Sequence, residues 1–128
     1  MLEVGMKGTR DTLVTTDNTA RAFCSGALEV FATPAMIALM EETCWKMIQP
    51  ELEDGQGSVG TGLNVEHVAP SPVGMKISCE ATLTAMEGRK LTFEVVASDE
   101  TGVIGRGTHD RFIIDCEKFQ SKANSKLS

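Results

Sequence analysis

The run Val30-Phe31-Ala32-Thr33-Pro34-Ala35-Met36-Ile37-Ala38-Leu39-Met40-Glu41-Glu42-Thr43-Cys44-Trp45 constrains the fold more than any other stretch of this chain. It is punctuated as the start of a helix. Thr33 is a favoured N-cap, since its hydroxyl accepts from an orphan amide of the first turn. Pro34 follows where a missing N–H costs nothing. The first two turns are apolar on every side. Such a helix is buried inside a domain, so the rest of the chain has to wrap around it. Pro50 and the polar turn after it end the helix near Gln49.

Two carboxylates follow the apolar run, and their surroundings differ. Glu42 has Lys46 four residues later, in the favourable order for an ion pair on a helix surface, and reads as solvated. Glu41 has Ile37, Ala38, Cys44 and Trp45 at its helical neighbour positions and reads as a partly buried acid. Without a basic neighbour on its own helix, it is a candidate for acid–base or nucleophilic work.

Most of the remainder predicts strands. Residues 7–16 read as a first strand, and Asp17 to Leu28 as a loop or short irregular helix. Residues 58–69 alternate, with Val59, Thr61, Leu63, Val65, His67 and Ala69 sharing one face. Residues 74–86 alternate again, with Met75, Ile77, Cys79, Ala81, Leu83 and Ala85 inward. Glu87-Gly88 makes a hairpin turn, residues 89–98 carry Leu91, Phe93, Val95 and Ala97 on one face, and a last strand runs from about Val103 to Lys118. The tail, residues 120–128, is polar and expected to be frayed and disordered. One-sided alternation joined by tight turns means an antiparallel sheet with one wet face. The fold class is therefore α+β, a five-stranded antiparallel sheet wrapped around one long central helix, the hot-dog architecture, in a single domain over residues 1–128. A helix apolar all round needs more cover than one sheet supplies, which favours a homodimer; pairing of dimers into a tetramer is left open.

The 128 residues suffice for one core. A net charge of -6 leaves no basic surplus to neutralise phosphates, so nucleic acid is not the expected partner. No apolar run has signal-peptide or membrane-span length, so the expected setting is cytoplasmic, away from membranes. Cys24, Cys44, Cys79 and Cys116 show no CxxC spacing and read as reduced, packed thiols; no disulfide and no metal site is expected.

His67 falls on the dry face of its strand, the face that meets the helix carrying Glu41. A buried histidine alone is more often structural, but here it converges with an acid and a helix-capping threonine. Gly60 and Gly62 open the same strand and suggest a bulge, or close approach of a ligand to backbone. In Gly105-Arg106-Gly107-Thr108-His109-Asp110-Arg111, His109 reads as structural, and the residues do not separate Arg106 from Arg111 as an anion-holding or surface-paired side chain. Thr33 and Glu41 lie eight residues apart, roughly 12 Å along one helix. A site using both needs a substrate lying along the helix, or a two-fold mate.

The segments Val30–Glu41, Gly57-Ser58-Val59-Gly60-Thr61, Val65-Glu66-His67 and Ile104–Arg111 together resemble the fluoroacetyl-CoA thioesterase-like family of hot-dog-fold acyl-CoA thioesterases, from about residue 5 to residue 119. The resemblance implies a catalytic set of threonine, glutamate and histidine, matched here by Thr33, Glu41 and His67. It also implies that Gly60 and Arg111 belong to the substrate-binding site. It implies hydrolysis of a short or small substituted acyl-CoA to free acid and coenzyme A, with no cofactor, since coenzyme A is part of the substrate. The member selective for fluoroacetyl-CoA carries a phenylalanine lid before the threonine, whereas Gly26-Ala27-Leu28-Glu29 has no aromatic side chain, so a broader or different short acyl group is expected. Two other readings use the same residues: a hot-dog enoyl-CoA hydratase or dehydratase, and a non-catalytic acyl-CoA-binding module.

Overall fold

The computed structural model describes residues 1–127. Strand β1 (Lys7–Leu13) is followed by a long irregular connection, helix α1 (Thr33–Ile48) and a short 3-10 turn, Gln49–Glu51. Strands β2 (Gln56–His67), β3 (Lys76–Glu87), β4 (Lys90–Asp99) and β5 (Gly102–Asp115) then precede helix α2 (Cys116–Asn124). The five strands form one antiparallel sheet in the order β1-β3-β4-β5-β2. The expected hot-dog arrangement is present, with α1 on the concave face of the sheet.

Turn chemistry sets the register. The β3–β4 hairpin closes over Gly88 and Arg89, with φ +63° at Gly88 alone, as a two-residue turn with glycine first requires. At the β4–β5 turn the Asp99 carboxylate accepts from the Thr101 amide (2.8 Å), the Thr101 hydroxyl (2.8 Å) and the Gly102 amide (3.2 Å). It also accepts from the Ser71 hydroxyl at 2.8 Å, tying the β2–β3 connection to that turn.

Helix α1 buries Ala35, Met36, Leu39, Met40, Thr43, Cys44 and Ile48. They meet Ile77, Cys79, Ala81 and Leu83 of β3, Leu91, Phe93, Val95 and Ala97 of β4, and Ile113 of β5. Two glycines let backbone and helix approach. A Cβ on Gly8 would stand 2.6 Å from Met47 Cβ, and one on Gly105 would collide with the Met36 thioether. The helix is not covered on every side: Thr33, Pro34, Ala38 and Trp45 are exposed, and Ile37 and Glu41 are partly so. Thr33, Ile37, Glu41 and Trp45 follow one another at four-residue spacing and form one stripe.

Several expectations need correction. Thr33 is not the N-cap; Ala32 occupies that position and Thr33 is the first helical residue, its hydroxyl engaged elsewhere. The first strand ends at Leu13, because Asn18 folds back to accept from the Thr15 amide and donate to the Leu13 carbonyl. The alternation of β2 changes parity at a bulge between Gly60 and Gly62. Gly60 and Leu63 therefore lie on the helix side, opposite Arg111 and His109, whereas Val59 and Thr61, expected inward, do not. A second bulge between Leu83 and Ala85 leaves Ala85 exposed. The last strand stops at Asp115, whose carboxylate accepts from the Lys118 amide at 3.0 Å and caps α2, so the chain is helical through Asn124 and 3-10 through Leu127 where a disordered tail was expected. Ser128 lies outside the described residues.

Candidate active site

The stripe on α1 carries two polar groups, two turns apart. At its start, the Thr33 hydroxyl lies 2.8 Å from His67 Nδ1 at the end of β2. His67 Nε2 is buried and has no hydrogen-bond partner among the described residues. Burial holds the imidazole below its ordinary pKa, offset in part by the Ala69 backbone, so the ring is neutral near pH 7. Beside this pair opens a cleft of about 320 Å³, lined by Ala20, Ser25, Val30, Phe31, Val68 and Ala69 as well as Thr33 and His67. Among the described residues no side chain caps the first turn of α1 at this cleft. Pro34 has no N–H and the Met36 amide is bonded to the Ala32 carbonyl at 2.9 Å, so what the helix brings to the cleft is Thr33 and the positive end of its dipole.

Two turns on, Glu41 meets a second set of groups. Its Oε2 lies 3.6 Å from Arg111 Nη1. Arg111 is a buried cation, its side chain 6% exposed against 40% for Glu41. The guanidinium is held by three further contacts: Nε donates to Ser58 Oγ at 2.8 Å, Nη2 to the Ser58 carbonyl at 2.9 Å, and Nη1 faces His109 Nε2 at 3.1 Å. Burial lowers the Arg111 pKa, and the Glu41 charge opposes that shift. Gly60 makes the assembly possible. A Cβ there would stand 2.7 Å from Glu41 Oε2, 3.1 Å from His109 Cε1 and 3.4 Å from Arg111 Nη1.

Thus Thr33 and His67 are brought together, as are Glu41, Gly60 and Arg111. Among the described residues no contact joins Glu41 to His67, so the two sets of groups stand apart along one helix face. Glu42 is bound to Lys46 at 2.9 Å and Arg10 at 3.1 Å, as a surface charge. Ser58 and His109 were missed as neighbours of this site. The signal was available for His109: residues 105, 107, 109, 111 and 113 alternate inward, whereas Arg106 points to the wet face with Glu66 and Glu94. Cys44 lies beneath Glu41, and burial, with Cys79 beside it, pushes its thiol up to about 12. Among the described residues no three His, Cys, Asp or Glu side chains are grouped to hold a metal ion, and no helix is long and apolar enough to cross a membrane.

Residues 14–117 match the family model described as fluoroacetyl-CoA-specific thioesterase. A fluoroacetyl-CoA thioesterase from Streptantibioticus cattleyicolor is 45% identical over 98 residues, covering 77% of this chain and 70% of that protein. A solved structure of the fluoroacetyl-CoA thioesterase FlK superposes with a TM-score of 0.94 at 39% identity, over 98% of both chains. A thioesterase-superfamily protein from Thermus thermophilus superposes with a TM-score of 0.90 at 28% identity, over 98% of this chain and 93% of that one. The chain belongs to the fluoroacetyl-CoA-specific thioesterase family, acyl-CoA thioester hydrolases built on the hot-dog fold.

Proposed function

We propose that this protein hydrolyses a short acyl-CoA thioester at a site made by Thr33, His67 and Glu41 between two copies of the chain. The observation that carries the reading is the Thr33–His67 pair lining a cleft at the start of α1, with a buried imidazole nitrogen left without a partner among the described residues. A thioester carbonyl placed there has the positive end of the α1 dipole beside it as negative charge develops in the transition state. With the Thr33 hydroxyl donating to Nδ1, His67 carries its proton on Nε2, poised for the departing thiolate. Glu41 supplies the attacking carboxylate, or the base that activates water, and Arg111 fixes its orientation.

Dimerisation follows from the stripe. In a two-fold interface, residue i meets j and j meets i. An axis crossing α1 near Ile37, midway between 33 and 41, sets each Thr33–His67 pair opposite the partner's Glu41. The exposed Pro34, Ala38 and Trp45 are covered by the same contact. Relatives solved with acetyl-CoA, and with fluoroacetate and CoA, support an acyl-CoA as the ligand. Residues 26–29, which carry no aromatic side chain and expose Leu28, support an acyl preference broader than fluoroacetyl.

The test is a thiol-release screen over short, branched and halogenated acyl-CoAs, with Glu41→Gln and His67→Ala alongside the parent. The variants should fold and lose at least about 100-fold in kcat. Near-normal hydrolysis by Glu41→Gln discards the assignment. Loss of enoyl absorbance without thiol release points to hydration, and thermal stabilisation by every acyl-CoA without turnover points to a binding module.

A further inference from the structure

His109 is buried to 1% exposure and does not reach the cleft, yet its ring is fixed from three directions. Phe93 stacks on it, with ring centroids 6.3 Å apart and planes 29° from parallel. Its Nδ1 lies 2.8 Å from the Gly62 carbonyl, which only accepts, so Nδ1 carries the proton. Its Nε2 is then a lone pair, facing Arg111 Nη1 at 3.1 Å, which only donates. The β2 bulge at Gly60/Gly62 is where the chain leaves regular register with β5, next to the carbonyl that fixes the tautomer.

We propose that His109 is a positioning residue. Through its Nε2 acceptor it holds the Arg111 guanidinium at the angle that presents Nη1 to the Glu41 carboxylate, so the bulge sets the orientation of the reacting acid. The proposal rests on Glu41 being the working carboxylate. The chain of contacts is continuous: Gly62 carbonyl, His109, Arg111, Glu41. Ser58 restrains the far side of the guanidinium, through Nε and Nη2, and leaves Nη1 to His109 and Glu41. A methylene-scale shift of Nη1 moves the carboxylate's partner without removing any charge.

Two conservative variants separate this role from packing. His109→Gln places an amide oxygen close to the position of Nε2, whereas His109→Phe keeps the ring stacking and removes the acceptor. For the acyl-CoA turned over best, His109→Phe is expected to lower kcat roughly 10- to 100-fold with KM within about twofold, the loss typical of a misplaced catalytic group. His109→Gln is expected to recover most of it. Equal activity in the two variants, whether high or low, overturns the proposal. A second readout needs no turnover: long-range 1H–15N spectra of the parent should show His109 as the neutral Nδ1–H tautomer, and a folded Arg111→Lys should shift its Nε2 resonance. The opposite tautomer, or an Nε2 signal indifferent to Arg111→Lys, also overturns it. A parent that releases no thiol from any acyl-CoA refutes the hydrolase reading instead, and the spectra then still decide whether His109 holds Arg111.

Discussion

Gly60→Ala is the perturbation that most directly probes the carboxylate. The new methyl would stand 2.7 Å from Glu41 Oε2, 3.1 Å from His109 Cε1 and 3.4 Å from Arg111 Nη1. The three neighbours yield unequally. Glu41 ends a flexible side chain that is 40% exposed in the single chain, so its carboxylate swings aside into the open side of the proposed site. His109 is wedged against Phe93 and has to give by only a few tenths of an ångström, an overpacking cost of about 1 kcal/mol. Against this, alanine restricts the unfolded chain, a gain of about 0.4–1 kcal/mol. The backbone at Gly60 is not among the positive-φ glycines, so no conformational strain is added. The two contributions nearly cancel, and the thermal midpoint should stay within a few degrees of the parent. Activity should not survive equally well. A carboxylate displaced by about 1 Å costs on the order of 100-fold in kcat. Thiol release and thermal unfolding measured on the same preparation decide the matter. A variant with parental kcat would show that the space between Gly60 and Glu41 is not where the acid works, and a large drop in midpoint would show that Glu41 cannot yield as argued.

Other outcomes follow from the same contacts. Glu42→Gln should leave activity within about twofold and shift stability by no more than about 1 kcal/mol, because Glu42 and its partners Arg10 and Lys46 are all more than a third exposed; kinetics and a denaturant midpoint check both. Burial is the leading cause that holds the pKa of both His67 and His109 below the ordinary value. Below pH 6.5 the unfolded chain takes up protons that the native state refuses. Stability should therefore be full above that pH and fall as the pH drops toward the native values. A denaturant midpoint that is flat between pH 7.5 and 5.5 contradicts this, since the lowered carboxylates Asp11, Glu42 and Asp99 act only at lower pH. An aromatic disulfide reagent should titrate two thiols in the native protein, the exposed Cys24 and Cys116, and four after denaturation. Rapid native labelling of four would mean that Cys44 and Cys79 are not shielded by the core.

Local rules made much of the architecture legible. The apolar run after Pro34 specified a core helix, the inward residues of β3 and β4 up to Leu83 and Ala97 were readable from period-2 alternation, and the Glu42–Lys46 pair followed from helical spacing. These readings succeed because each depends on neighbours within a few residues. Where they failed, a contact from a distant segment had won. The Thr33 hydroxyl was engaged by an imidazole 34 residues later and not by its own helix. The β2 bulge reversed the parity around Gly60, which strict alternation cannot anticipate even when paired glycines hint at it.

The sequence by itself determined the central helix, the five strands and the inward face of most of them, and it marked an acid, a histidine and a threonine as candidates. Resemblance to a family separated Arg111 from Arg106. Only the tertiary structure decided which of these groups touch. It put Arg111 on Glu41 with His109 and Ser58 holding the guanidinium, placed Thr33 on His67, and kept the two sets two turns apart on α1. The physical reason is range: periodicity fixes the face a side chain occupies, but its partner across the sheet depends on register, and here one extra residue in β2 sets that register.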